Sequence, residues 1–135
     1  MRQINLIIIH CSAVKPNQTS SAKQIDQWHK AQGWRMIGYH YVVRRDGTIE
    51  VGRPEHQIGA HCSGRNASSI GVCYEGGLNA DGQPSDTRTD AQKEAIRNLL
   101  SDLKTRYPFA QIAGHNNFSY KACPCFDARK EYQTL

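Results

Sequence analysis

Near the start of the chain, Ile4-Asn5-Leu6-Ile7-Ile8-Ile9 runs directly into His10, Cys11 and Ser12. β-Branched side chains lose rotamer freedom in a helix and pack well on a pleated surface, so a segment this dense in isoleucine reads as a strand. Apart from Asn5 its apolar residues are successive rather than alternate, which calls for cover on both faces. A sheet with one wet face is thereby excluded, and helices are required on each side. His10, standing at the strand's end, then lies at a mouth of the fold, where ligand clefts of such sheets form. The run is far shorter than the roughly 18 apolar residues of a membrane helix, so no membrane insertion is expected. It also lacks a basic lead and a small-residue cleavage site, so the chain is expected to be cytoplasmic as synthesised.

The remaining elements follow from caps and turns. Ser21-Ala22-Lys23-Gln24 is a capping box ahead of Ile25, Trp28 and His29, with Gly33 as the stop, and predicts a first helix. Tyr39 to Val43 and Thr48 to Val51 flank Arg45-Asp46-Gly47, a hairpin signal. Residues 58–69, rich in Gly, Ser, Asn and His, predict a loop before a strand from Ile70 to Tyr74. A second capping box, Thr89 to Gln92, opens a helix whose apolar stripe is Ala95, Ile96, Leu99, Leu100 and Leu103 and which ends near Tyr107-Pro108. A short strand from Gln111 to Ala113 leads to Gly114-His115, and a last helix starts near Asp127. This order predicts an α/β fold: one domain over residues 1–135, with a mixed central sheet flanked by helices. Two strands end in histidine, which makes the cleft at the strand ends a candidate metal cleft.

Charge and thiols narrow the partners. A formal charge of +5 favours a polyanion, and both nucleic acid and the acidic cell wall qualify. The basic residues are dispersed, with no zinc-finger spacing, RNA-binding aromatic motif or basic helix, so no nucleic-acid partner is expected. Five cysteines, an odd number without an export signal, argue for reduced thiols rather than a disulfide framework.

Zinc prefers imidazole nitrogen and thiolate sulfur, and strand ends bring such groups together from distant parts of a chain. His10, His115 and Cys123 fit, and three protein ligands leave a fourth position for water, as a catalytic site requires. Spacing alone leaves other sets open, because six histidines and five cysteines form many triples.

Several motifs taken together reach further. Ile7-Ile8-Ile9-His10-Cys11-Ser12, Gly38-Tyr39-His40-Tyr41 with Arg45-Asp46-Gly47-Thr48, Gly64-Arg65-Asn66 through Ser69-Ile70-Gly71-Val72, Gly114-His115, and Lys121-Ala122-Cys123-Pro124 with Phe126-Asp127 occur in order along nearly the whole chain. In these motifs the sequence resembles the phage-lysozyme and peptidoglycan-recognition type of N-acetylmuramoyl-L-alanine amidases. The resemblance implies a monomeric hydrolase of peptidoglycan, with zinc held by His10, His115 and Cys123 and with Tyr39 and Lys121 as catalytic residues.

The sequence departs from that family's patterns in two places. Where a wall-recycling branch is expected to carry a glutamate, this chain has Cys73, leaving Glu75 as an alternative base. Cys125 stands where a small or polar residue is more usual, and is expected to be a bystander thiol. His61, Arg65 and Asn66, in the Gly-rich loop, are candidates for contacting the stem peptide or sugar. His40 is expected to be a hydrogen-bonded structural residue facing away from Tyr39, and His29 and His56 to lie on the surface. Trp28 and Trp34 belong to the core or the rim. Rival readings are a non-catalytic peptidoglycan-binding module of the same fold, which would have lost a ligand, and a thiol hydrolase using Cys11 or Cys123.

Overall fold

The computed structural model describes residues 2–135. Its five-stranded sheet contains β1 (Leu6–Cys11), β2 (Tyr41–Val43), β3 (Ile49–Val51), β4 (Ser69–Tyr74) and β5 (Gln111–Gly114), ordered β3-β2-β4-β1-β5. β1 runs parallel to both β4 and β5, β2 runs parallel to β4, and only the β2–β3 pair is antiparallel. Helices α1 (Ala22–Ala31), α2 (Asp90–Arg106) and α3 (Ala128–Glu131) complete the regular structure with two short 3₁₀ turns. The α/β architecture expected from the sequence is the one found.

β1 lies between β4 and β5, and Ile7, Ile8 and Ile9 are all 0% exposed. Burying each such side chain contributes about 1.5–3 kcal/mol. The strand does not stop at Ile9: its register with β4 continues through His10 opposite Cys73 and Cys11 opposite Tyr74. His10 is therefore held inside a ladder rather than hanging from its end.

Alternation along the strands sorts the side chains. Ile7, Ile9 and Cys11, with Ile70, Val72 and Tyr74, join Ile96, Leu99, Leu100 and Leu103 of α2 and Ala128 and Tyr132 at the C-terminus in the larger core. Val42 and Cys73 pack with Ile25 of α1 and Ile37 in a smaller core on the other face. His10, one residue out of step with Ile9 and Cys11, falls on this second face.

Both expected capping boxes are made. Ser21 accepts from the Gln24 N–H and Thr89 from the Gln92 N–H, with each glutamine side chain returning to the cap backbone. Gln92, fully buried, also donates Nε2 to the carbonyls of Val43 and Glu75, joining α2 to the ends of two strands.

The hairpin strands are shorter than expected, since Tyr39, His40 and Thr48 lie outside them. His40 donates its N–H to the Gly71 carbonyl and accepts from the Gly52 N–H, while Tyr39 O accepts from the Arg53 N–H, an irregular entry to β2. Gly47 in the turn has φ +89°, and a Cβ there would come within 3.0 Å of the Ala91 carbonyl oxygen, so glycine lets the turn press against α2. Among the described residues, no helix is long and apolar enough to cross a membrane.

Candidate metal centre and active site

Three segments distant in sequence meet on the second face of the sheet. β1 delivers His10, the end of β5 delivers His115, and the loop before α3 delivers Cys123. One donor atom from each lies within 4.8 Å of the other two. His10 Nδ1 is 3.9 Å from Cys123 Sγ, and the His10 and His115 ring centroids are 4.6 Å apart. A tetrahedral zinc with bonds of about 2.0–2.1 Å to nitrogen and about 2.3 Å to sulfur spaces its donors by about 3.4–3.6 Å, so this group needs only small side-chain adjustments to hold the ion.

The surroundings suit that use. Burial, then the charges of His61, His115 and Lys121, holds the His10 pKa well below its ordinary value, and burial with Lys121 lowers that of His115. Both imidazoles are thus neutral at neutral pH, the form that ligates metal. The Cys11 N–H donates to Cys123 Sγ at 3.2 Å, which holds the sulfur beside β1. Cys123 is itself located by Pro124, whose carbonyl accepts from the buried Tyr74 hydroxyl at 2.6 Å.

A cleft of about 640 Å³ opens above these groups, and Tyr39, Lys121, His29 and Trp34 are among its lining residues. The Tyr39 ring is 5.0 Å from that of His10. Burial first, then the thiols of Cys73 and Cys123, pushes its phenol pKa well above normal, so it stays protonated and able to donate. Lys121 is exposed in the same cleft.

Other candidates take different places. His61 is not a solvated loop residue: it is 9% exposed, and its Nδ1 is 2.9 Å from His10 Nε2. Burial, with the nearby His40 and His115, pushes its pKa down to about 3. Asn66 uses Oδ1 to accept from the N–H groups of His61 and Cys62, closing the loop that presents His61. Arg65 is exposed, sits 4.8 Å over the Phe118 ring and borders a neighbouring depression rather than the cleft itself.

Glu75 is 2% exposed, and its carboxylate accepts from the N–H groups of Ser20 and Arg45 and from Arg44 Nε. Burial alone would raise its pKa, but these donors outweigh it and leave it below the usual carboxylate range. Such a carboxylate is occupied in tying loops together. Cys125 turns away from the metal group, with Sγ 3.4 Å from the Gly77 carbonyl and 4.0 Å from Cys11 Sγ. The Cys11 thiol pKa is raised by its contact with Cys123 and by burial, which makes it a poor nucleophile.

His29 is a correction to the expected surface position. Its Nδ1 accepts from the Gly38 N–H at 2.9 Å and its ring lies 4.4 Å from Trp34, so it braces the cleft wall next to Tyr39. The only sequence signal for this was its place on α1 beside an apolar stripe. His40 is fully buried, with Nδ1 accepting from the Gly71 N–H, as a structural histidine would be; His56 is exposed. Trp28 and Trp34 are 42% and 39% exposed, and Trp34 forms part of the rim.

Comparison with known proteins matches this architecture to a family. The model of the N-acetylmuramoyl-L-alanine amidase family matches residues 1–126. The chain is 42% identical over 132 residues to the endolysin of Klebsiella phage KP32, covering 98% of this chain and 87% of that one. It is 43% identical over 127 residues to the endolysin of Escherichia phage T7, covering 94% and 84%. The solved structure of the endolysin N-acetylmuramoyl-L-alanine amidase LysCS from Clostridium intestinale URNW superposes with a TM-score of 0.80 at 32% identity, over 91% of this chain and 76% of that one. On the family match and these identities, the chain belongs to the N-acetylmuramoyl-L-alanine amidase family.

Proposed function

We propose that this amidase hydrolyses the bond between N-acetylmuramic acid and L-alanine of peptidoglycan at a zinc centre held by His10, His115 and Cys123. The observation that carries the reading is the convergence of those three donors within 4.8 Å of one another beneath a cleft that Tyr39 and Lys121 also line. When bound, zinc polarises a carbonyl oxygen and acidifies water to a pKa of about 7. The neutral imidazoles of His10 and His115 supply lone pairs, and the Cys11 N–H offsets part of the charge on the Cys123 thiolate. Lys121 contributes a positive charge, and Tyr39 a phenol kept protonated by burial. Both meet the oxyanion that forms when the amide carbonyl is attacked, and one of them passes a proton to the departing alanine nitrogen.

His29 and Trp34 shape the wall along which the substrate lies. The two phage relatives are named endolysins, and we extend a wall-acting role to this chain. His10, His115, Cys123, Tyr39 and Lys121 come together without a second copy, and we take the monomer as the working unit. Residues 1–135 form one amidase domain on this reading, because Ala128 and Tyr132, beyond the matched region, still pack into the main core.

Digestion of purified peptidoglycan tests the bond. New L-alanine amino termini are expected without new reducing sugar ends, and the activity is expected to vanish with a metal chelator. A rise in reducing ends alone would make the protein a glycosidase. Retained binding with no new ends of either kind would make it a recognition module, and hydrolysis that survives chelation would point to thiol chemistry.

A further inference from the structure

From the hydrogen-bond chain behind the metal group, we infer that His61 is a positioning residue for zinc, fixing the tautomer and orientation of His10; this rests on the zinc reading above. His10 reaches toward Cys123 with Nδ1, at 3.9 Å, and toward His61 with Nε2, which lies 2.9 Å from His61 Nδ1. His61 Nε2 in turn lies 3.2 Å from Ser69 Oγ. A neutral imidazole carries one proton, so the chain has a single consistent assignment when His10 Nδ1 is a ligand. His10 Nε2–H donates to His61 Nδ1, and His61 Nε2–H donates to the Ser69 hydroxyl oxygen.

The fold is built around this ring. His61 lies flat over β4 where Gly71 has no side chain, and a Cβ at Gly71 would come within 2.7 Å of the His61 ring. A Cβ at Gly59 would come equally close, at 2.7 Å. Asn66 Oδ1 pins the backbone on either side by accepting from the His61 and Cys62 N–H groups, each at 2.9 Å. Glycines beneath the ring, a clamped loop around it and a serine behind it hold His61 at one distance from His10. Ligating histidines are oriented in this way by acceptors on their second nitrogen, and loss of such an acceptor typically weakens metal binding about 10–100-fold.

The decisive measurement is zinc affinity of the whole chain, by competition with a chromophoric chelator, together with the melting temperature of the zinc-free form. His61→Phe keeps a ring over Gly71 but removes the acceptor, and is expected to bind zinc about 10–100-fold more weakly. His61→Gln restores an acceptor and is expected to recover most of that loss. Wild-type zinc affinity in His61→Phe overturns the inference, and with a raised KM would make His61 a substrate contact instead. Equal weakening in the phenylalanine and glutamine variants also overturns it, since packing rather than the hydrogen bond would then be at work. Ser69→Ala guards against misfolding: it removes only the group that holds the His61 Nε2 proton and is expected to weaken zinc binding in the same direction. An unfolded His61→Phe combined with unchanged affinity in Ser69→Ala overturns the inference. Failure of the amidase reading appears instead in the chemical ends released from peptidoglycan, so the two outcomes are distinguishable.

Discussion

Cys123 and Cys125 stand two residues apart and face different environments: one sulfur lies beside His10 and the other beside Cys11 and the Gly77 carbonyl. Replacing Cys123 with serine is therefore expected to abolish stoichiometric zinc, and replacing Cys125 with serine to leave it in place, as read by elemental analysis of the purified proteins. Retention of zinc by the first variant and its loss from the second would reverse the ligand assignment. Tyr39 and Lys121 are not ligands in this scheme, so Tyr39→Phe and Lys121→Ala are expected to keep their zinc and lose turnover. Groups that donate to an oxyanion or transfer a proton contribute about 100-fold or more, and kcat at saturating peptidoglycan, measured alongside zinc content, checks that magnitude. Near wild-type kcat in both variants would remove this pair from the mechanism. His61 shows what a residue's local sequence leaves open: it stands in a loop of glycines and serines, yet it is buried against the sheet.

At the scale of elements, β4 and the loop ahead of it act together. The strand is buried along its whole length, and its one glycine leaves the space occupied by the His61 ring. Gly71→Ala inserts a methyl group at 2.7 Å from that ring, so either the loop or the histidine must move. Overpacking of this kind costs about 1–3 kcal/mol, and here it also displaces His61 from His10. The expected result is a lower melting temperature together with weaker zinc binding. A variant that melts and binds zinc like the wild type would show that the loop adapts freely. The capping boxes of α1 and α2 belong to the same scale, and they were legible because a cap is a local pattern that needs no distant partner.

Across the whole molecule, buried titratable groups make stability depend on pH in one direction. His40 is buried and neutral: its Nδ1 accepts from the Gly71 N–H, and burial lowers its pKa below the ordinary 6.5. The unfolded chain binds more protons than the folded one below that value, so stability is complete above it and declines as the pH falls through it. Glu75 is held below the ordinary 4.5 by its N–H and guanidinium donors, and Asp86 and Glu131 are lowered beside Arg88. Their contribution is present above the unfolded carboxylate value and disappears at more acid pH. Melting temperatures recorded in chelator from about pH 8 to about pH 2 are expected to fall in two stages, histidine first and carboxylates second. A flat profile through the first stage would mean that His40 is protonated without penalty.

The sequence by itself determined the elements and the class of fold. A continuous isoleucine run demands cover on both faces, helix caps and an Asp-Gly turn act within a few residues, and the motif order resembled one family strongly enough to name the ligand types and a catalytic pair. Tertiary structure decided what depends on register and facing. It carried β1 two residues further, so that His10 opposes Cys73 and Cys11 opposes Tyr74 within a ladder, and it turned Cys123 and Cys125 toward different neighbours. It gave Glu75 to the loops as a buried acceptor, and brought His29 from the expected surface into the cleft wall. The reason is that a cap or turn is satisfied by chain neighbours, whereas His61 meets His10 across 51 positions and Cys123 meets His10 across 113. Only the packing of the sheet closes separations of that size.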